Sequence, residues 1–380
     1  MDFLLSGLMA ITWQQCVMYA VGALLIYLAI AKEFEPSLLL PMGFGAILVN
    51  LPLSGVLDQT IGGTIETHGI IEWLFNVGIE TSEALPILLF IGIGAMIDFG
   101  PLLSNPKMFL FGGAAQFGIF LTILLAAVLG FDLKDSASIG IIGAADGPTS
   151  ILVSQILDSK YIGAIAVAAY SYMALVPIVQ PFAVKLVTTK KERCIRMEYN
   201  PKSVTKLTRI IFPIIVTIVA GLIAPQSVAL VGFLMFGNLI RECGVLGTLS
   251  DTAQNNLANL VTLLLGITIS FSMQAEEFVD KNTLIIMLLG LFAFVFDTIA
   301  GVVFAKILNL FLKKKINPMV GAAGISAFPM SARVIQKMGL KEDPSNHLLM
   351  HAISANVAGQ IGSVVAGGVV INIVTQLLQK

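Results

Sequence analysis

The sequence predicts an all-α polytopic membrane protein, with two inverted repeats of about five transmembrane helices each and one broken or re-entrant segment per repeat. Three observations carry this: long apolar runs poor in charge, one basic linker near the middle, and Gly/Pro-interrupted segments at matching places on either side of it. Of 380 residues, 57% are hydrophobic and 12% charged, whereas a soluble domain carries about 25% charged residues. Apolar runs at 3–31, 36–57, 108–130, 162–184 and 282–305, the last charged only at Asp297, each reach the roughly 20 residues that a helix needs to cross the hydrocarbon core.

Taken in order, the chain opens on Met1-Asp2-Phe3 without the basic leader of a signal peptide, so the first apolar stretch is expected to be retained. Trp13 and Gln14-Gln15 suggest a short interfacial piece before the first span. Pro36-Ser37-Leu38-Leu39-Leu40-Pro41-Met42-Gly43-Phe44, followed by Asn50, is echoed by Pro225-Gln226-Ser227-Val228-Ala229-Leu230-Val231-Gly232-Phe233, followed by Asn238. Gly143-Ala144-Ala145-Asp146 recurs as Gly321-Ala322-Ala323-Gly324, and Ala169-Tyr170-Ser171-Tyr172 resembles Ile353-Ser354-Ala355-Asn356. These matches keep their order at offsets of about 180 residues, which points to a duplication. The expected division is 1–188 for the first repeat, 189–207 for a linker and 208–380 for the second repeat.

Charge sets the topology. Lys185, Lys190, Lys191, Arg193, Arg196, Lys202, Lys206 and Arg209 meet only Glu192 and Glu198. A short loop this basic belongs in the cytoplasm, together with Lys313-Lys314-Lys315. The stretch with Asp58, Glu66, Glu72, Glu80 and Glu83 holds no Lys or Arg and sits outside. Both placements hold with five crossings per half if 136–160 and 316–341 enter and return from the same side. Asp146-Gly147-Pro148 in one, and Gly321, Gly324 and Pro329 in the other, unsuit them to a plain helix. Irregular backbone survives at membrane depth only where protein or a wet cavity satisfies it. Residues 209–241 are expected to split into two short spans and 348–379 to form one.

Asp146 is the centre of the chemistry. An ionisable residue in a membrane segment costs at least about 2.5 kcal/mol by insertion scales and marks function by default. The broken backbone frees carbonyls, and Thr149 and Ser150 add hydroxyl oxygens. One carboxylate among neutral oxygens suits a hard monovalent cation. An Asp before Gly-Pro is also ordinary capping chemistry, and the two readings are compatible. In the second segment, Asn317 and Ser326 offer oxygens or hydrogen bonds to an ion or a headgroup. Arg333 offers a bidentate fork for a carboxylate or a charge snorkelling to the interface beside Lys337. Tyr172 and Asn356 hold matching places from which each can reach a broken segment, or pack helices. Asp297 is a third polar candidate inside an apolar run.

Other classes are disfavoured. A net charge of −1 leaves no nucleic-acid footprint. Cys16, Cys194 and Cys243 are isolated and support neither a disulfide framework nor a zinc site. His347 and His351 lack an obvious third ligand, and no phosphate loop argues for direct ATP use.

Gly143-Ala144-Ala145-Asp146-Gly147-Pro148-Thr149-Ser150-Ile151 and the segment from Asn317 to Arg333 closely resemble the signature regions of the β subunit of biotin-dependent sodium-pumping decarboxylases, which act on oxaloacetate, methylmalonyl-CoA or glutaconyl-CoA. The chain looks like the shorter form of that subunit, without a long N-terminal extension. The resemblance implies that a carboxyltransferase subunit loads biotin on a carrier subunit, and that carboxybiotin is decarboxylated at the cytoplasmic face of this subunit while Na+ moves outward. It places the family's functional residues on Asp146, Tyr172, Asn317, Gly321, Ser326, Arg333 and Asn356. Asp146, Ser326, Asn356 and Thr149 are the expected Na+ ligands; Arg333, Tyr172 and Asn317 are expected to act on carboxybiotin, with Arg333, Asn317 and Gly321 binding it. It further implies a small membrane subunit as partner, homo-oligomers within the complex and a multi-pass place in a bacterial inner membrane. The residues alone also admit a stand-alone sodium-coupled secondary transporter of the same architecture.

Overall fold

The computed structural model of the chain describes residues 7, 9–61, 65–81, 84–199 and 204–379. The N-terminal Met1-Asp2-Phe3, together with Glu83 and Lys202, lie outside these residues. Helix dominates because in hydrocarbon every backbone N–H and C=O must find its partner within the protein. The sheet among the described residues is a two-stranded antiparallel ribbon in the acidic loop, β1 (Gln59–Ile61) with β2 (Ile65–Thr67). Six helices are long and apolar enough to cross a membrane, and up to eight if each of two bent pairs is one span. The chain is a multi-pass membrane protein. Val128 and Leu222, at the ends of two such spans, are among many large apolar side chains left on its outer surface.

α1 (Trp13–Ala31) starts where the Thr12 hydroxyl accepts from the Gln15 N–H and the Gln15 side chain accepts from the Thr12 N–H. Trp13 and Gln14 therefore form the first turn of the span and are not a separate interfacial piece ahead of it. The reciprocal cap starts the helix there. α2 (Pro36–Val49) has 14 residues, a length of about 21 Å. Ile70–Glu80, which ends in a π turn at Asn76–Glu80, meets α3 (Ala84–Met96) at 64°.

The span expected at 108–130 is present as Pro106–Val128, with a short turn at 115–116 between α4 (Phe109–Ala114) and α5 (Phe117–Val128). A break frees N–H groups that hydrocarbon cannot satisfy. Here the Asp297 carboxylate accepts from the Gly118 N–H at 2.5 Å, and Gln116 Nε2 donates to the Gly112 carbonyl at 2.9 Å. The first broken segment follows: α6 (Leu133–Gly140), a tight turn at Ile141–Ala144, and α7 (Gly147–Ile156). α8 (Ile162–Val187) turns by 71° between Ile162–Met173 and Leu175–Val187, next to Pro177, which cannot donate to the preceding turn.

The linker carries one short helix, Lys190–Arg193, capped by Thr189 and Glu192. α9 (Lys206–Ile223) and α10 (Val228–Glu242) are the expected two short helices, parted at Pro225–Ser227. A π turn at Thr252–Leu257 leads into α11 (Ala258–Ile269), and α12 (Lys281–Phe311) follows. The second broken segment comprises α13 (Met319–Ala322), an irregular turn and α14 (Met330–Glu342). α15 (Leu349–Leu378) is one unbroken helix of 30 residues.

Packing across the linker is reciprocal. α2 lies on α11, and α10 on α3; α8 lies on α12, and α15 on α4; α14 lies on α8, and α7 on α15. Gly94 and Gly237 let α3 and α10 touch, since a methyl at either would overlap a carbonyl of the other helix.

Candidate functional site

The two broken segments meet tip to tip. The Ser326 N–H donates to the Ala144 carbonyl at 3.0 Å. Next in the chain, Ala145 adopts a left-handed backbone at φ 53°, a conformation that costs a non-glycine residue of order 1 kcal/mol and persists only where surroundings impose it. The reversal leaves Asp146 extended, at the N-cap of α7, with Gly147 and Pro148 opening the helix. Gly147 is required there because a methyl would overlap the Tyr170 ring, which closes over it.

The Asp146 side chain is buried, 3% exposed. Its Oδ1 accepts from the Thr149 N–H at 3.3 Å. Its Oδ2 accepts from the hydroxyls of Thr149 at 2.8 Å, Ser363 at 2.7 Å and Ser326 at 3.1 Å. Ser326 and Ser363 lie 2.8 Å apart. Asn356 on α15 donates to the Ile325 carbonyl at 2.7 Å, and its own Oδ1 is buried without a partner, as is the Tyr170 hydroxyl. Asp146 thus caps a half-helix and lies among three hydroxyl oxygens. Among the described residues no three His, Cys, Asp or Glu side chains converge.

The structure brings together Asp146, Thr149 and Ser326, with Asn356 one hydrogen bond away. It places four other expected residues elsewhere. The Tyr172 hydroxyl donates to the Met287 carbonyl of α12. Asn317 Nδ2 donates to the linker carbonyls of Arg193 and Ile195 at 2.8 Å each. Gly321 packs against the Gly301 carbonyl of α12, where a methyl would not fit. Arg333 is exposed in the first turn of α14 and has no ion pair within 4 Å among the described residues. Its charge is felt by Glu35, whose carboxyl burial pushes up and Arg333 pulls back.

Sequence reasoning missed Ser363, Tyr170 and Gln180. Ser363 looks like any small residue of a long helix. Tyr170 was visible only as a neighbour of Tyr172. Gln180, on α8, donates to the Ala322 carbonyl at 2.8 Å and the Ser331 hydroxyl at 2.6 Å, binding the second broken segment at both its ends. Asp297 is buried too. Its Oδ1 holds the Gly118 N–H, its Oδ2 has no partner, and a methyl on Gly143 would come within 2.6 Å of that oxygen.

Chemically, a lone carboxylate beside three hydroxyls can hold a hard cation. The hydroxyls, now donors to Oδ2, need only rotate to present lone pairs. Thiols and imidazoles are absent from the cluster, which therefore offers oxygen donors alone, the set that hard cations prefer.

Residues 14–374 match the family model described as the Na+-transporting oxaloacetate decarboxylase beta subunit. The chain is 48% identical to the methylmalonyl-CoA decarboxylase subunit beta of Propionigenium modestum, over 97% of each chain. It is 48% identical to the glutaconyl-CoA decarboxylase subunit beta of Acidaminococcus fermentans, over 97% of this chain and 96% of that one. To the probable oxaloacetate decarboxylase beta chain of Vibrio cholerae it is 44% identical, over 97% of each. With matches of this extent around a buried carboxylate at the junction of two broken segments, the chain belongs to the β-subunit family of the Na+-transporting decarboxylases.

Proposed function

We propose that this chain is the bacterial inner-membrane subunit that decarboxylates carboxybiotin brought by a partner and couples the loss of CO2 to Na+ export. One observation carries the reading. Asp146, buried at a tip-to-tip contact of two broken segments, is gripped by hydroxyls from three elements: α7, the turn of the second segment, and α15. Moving one charge against 100 mV costs about 2.3 kcal/mol, so decarboxylation must change the side to which the ion site opens. In the reaction the N–C bond of carboxybiotin breaks, CO2 leaves, and the ureido nitrogen takes a proton.

Asp146, Thr149, Ser326 and Asn356 hold Na+ in this scheme, with Ser363 as an added ligand. Arg333, free of a partner at the start of α14, clamps the carboxyl group. Asn317 and Gly321 keep the cytoplasmic part of the segment in register with the linker and α12, and Tyr172 ties α8 to α12. The halves 1–188 and 208–380 are inverted repeats, joined by the basic cytoplasmic linker, with ten crossings in all. Support for this comes from the reciprocal packing across the linker and from π turns at Asn76–Glu80 and Thr252–Leu257, in the third helix of each half. A biotin-carrier subunit, a carboxyltransferase subunit and a small membrane subunit complete the complex, in which this chain forms homo-oligomers. The decarboxylase relatives set aside a stand-alone secondary transporter.

The test is reconstitution of the whole complex into proteoliposomes with 22Na+. Asp146→Asn abolishes Na+ uptake and Na+-stimulated CO2 release together. A complex carrying this substitution that still pumps would remove Asp146 as an essential ligand.

A further inference from the structure

Two of the apolar spans, Pro106–Val128 and Lys281–Phe311, each have one end beside the same cavity of about 770 Å³. The linker forms its far wall. Lys107, Arg196, Lys313, Lys314 and Lys315 line it, against the one carboxylate of Glu198. Arg196 is engaged with Asp343 at 2.6 Å, and Lys315 donates to the Asn309 carbonyl. Lys314 lies 3.7 Å from Glu198 with both side chains exposed, a pair that contributes little. Lys107 and Lys313 have neither an ion pair nor a hydrogen bond among the described residues, so the wall keeps a surplus of positive charge. His351 also lines the cavity. It is 6% exposed, and its Nε2 is buried without a hydrogen-bond partner. Buried polar atoms are nearly always paired, and an orphan calls for a missing partner. Neither Asp146 nor Arg333 lines the cavity, which is therefore separate from the ion and carboxyl sites proposed above.

The surroundings select the class of ligand. Leu110, three positions into the first span from Lys107, is exposed. So are Leu310 and Phe311, just before Lys313. Free cations at the ends of two spans, with bare apolar surface directly beside them, match a molecule with an anionic head and hydrocarbon tails. A soluble anion would use the cations and leave the apolar surface idle. A choline or ammonium headgroup would meet the positive wall unfavourably. A hydroxyl suits the orphan imidazole nitrogen in either tautomer, because it both donates and accepts.

We propose that this cavity binds one anionic phospholipid whose headgroup ends in a hydroxyl, phosphatidylglycerol being the simplest. Its phosphate sits between Lys107 and Lys313, its glycerol hydroxyl meets His351 Nε2, and its acyl chains lie along Leu110, Leu310 and Phe311. Basic pockets between spans recognise anionic headgroups in this way, and the volume falls within the roughly 300–1,000 Å³ of small-molecule sites. The seated lipid braces the linker. Asn317 holds the linker carbonyls of Arg193 and Ile195, and Asn346 holds that of Arg193 as well. Met197 of the linker and Ile316 beside Asn317 both face the headgroup.

The test uses the whole complex, solubilised in detergent, stripped of lipid and titrated with radiolabelled dioleoyl phosphatidylglycerol. Wild type retains the lipid saturably, and neither phosphatidylcholine nor inorganic phosphate displaces it. The combined variant Lys107→Gln, Lys313→Gln binds it about tenfold more weakly, whereas Lys107→Arg, Lys313→Arg binds it as wild type does. His351→Leu lowers affinity for phosphatidylglycerol several-fold and leaves that for phosphatidic acid, which has no headgroup hydroxyl, unchanged; His351→Gln keeps the wild-type preference. In the unsubstituted complex the bound lipid shields Lys107 and Lys313 from an amine-reactive reagent, read by mass spectrometry, so the outcome does not depend on a variant that folds. Lysines left unshielded overturn the proposal. Equal retention by the Gln variant, or equal retention of phosphatidylcholine, does so too, since the lipid is then only part of the general annulus. Displacement by inorganic phosphate assigns the cavity to a soluble anion, and displacement by the purified biotin-carrier subunit assigns it to that partner; either result overturns the lipid site. A loss in the Arg variant as large as in the Gln variant overturns it as well, because the lysines then serve the fold.

Discussion

The Asp146 carboxylate takes four hydrogen bonds, three of them to one oxygen. Each hydroxyl is thus worth testing alone. A hydrogen bond to a charged group contributes about 1.5–3 kcal/mol, so Ser363→Ala is expected to weaken Na+ binding by about tenfold or more, read as the Na+ concentration for half-maximal decarboxylation. No change would take Ser363 out of the ion site. Asp297 acts at a distance: it satisfies the start of α5 and abuts Gly143, three positions before Asp146. Asp297→Asn keeps an acceptor for the Gly118 N–H, whereas Asp297→Leu leaves a buried donor unpaired at a cost of about 1–3 kcal/mol. Thermal unfolding of the detergent-solubilised chain should therefore rank wild type and Asn above Leu. Equal midpoints for Asn and Leu would show that the α4–α5 break does not depend on this cap.

At the scale of elements, the close approaches are backbone to ring and backbone to backbone. Gly147 faces the Tyr170 ring, and Gly359 on α15 faces the Gly324 carbonyl. Overpacking costs about 1–3 kcal/mol. Gly359→Ala should therefore displace the turn of the second segment and lower Na+ affinity while leaving α15 helical, checked by Na+ titration beside circular dichroism. The linker docks on the end of α14 through Arg193 to Glu342 at 2.8 Å and Arg196 to Asp343 at 2.6 Å. The Arg196 hydrogen bond, helped by the Ser345 N–H, holds the Asp343 carboxyl below its ordinary 3.8. A lowered value means the contact stabilises at pH above 3.8 and is lost as pH falls through the folded value. Hydrogen exchange of the linker should thus rise only in acid, and Asp343→Asn should raise it at neutral pH and remove that acid step. A linker equally protected at all pH values in both proteins would contradict this.

For the molecule as a whole, the proposed ten crossings place Cys194 and Cys243 at the cytoplasmic face and Cys16 near the outer end of α1. All three are free thiols. A membrane-impermeant maleimide should label Cys194 and Cys243 in inside-out vesicles and leave them untouched in right-side-out ones. The reverse pattern would invert the topology and with it the direction of pumping. In the proposed mechanism, coupling at this scale would run along one continuous piece of chain, from the Asn317 anchor on the linker to the Ser326 contact with Asp146, braced midway by Gln180 from α8.

Much was legible in the residues. Apolar length and charge bias act locally, and the bilayer enforces them on each segment separately, so the helical class, the basic linker, the split at Pro225 and the two broken segments could be read before any contact was known. Asp146, Thr149 and Ser326 were legible because an acid or hydroxyl beside Gly and Pro in an apolar stretch has few other uses. The rest belonged to tertiary packing. Nothing in the run 108–130 announces the turn at 115–116, and the Gly118 N–H beyond it is met by a carboxylate 179 positions away. Ser363, Tyr170 and Gln180 gain their roles only where helices from both halves cross. Whether a hydroxyl lines an ion site or merely packs is decided by which oxygen lies within about 3 Å, and that distance is a property of the assembled fold.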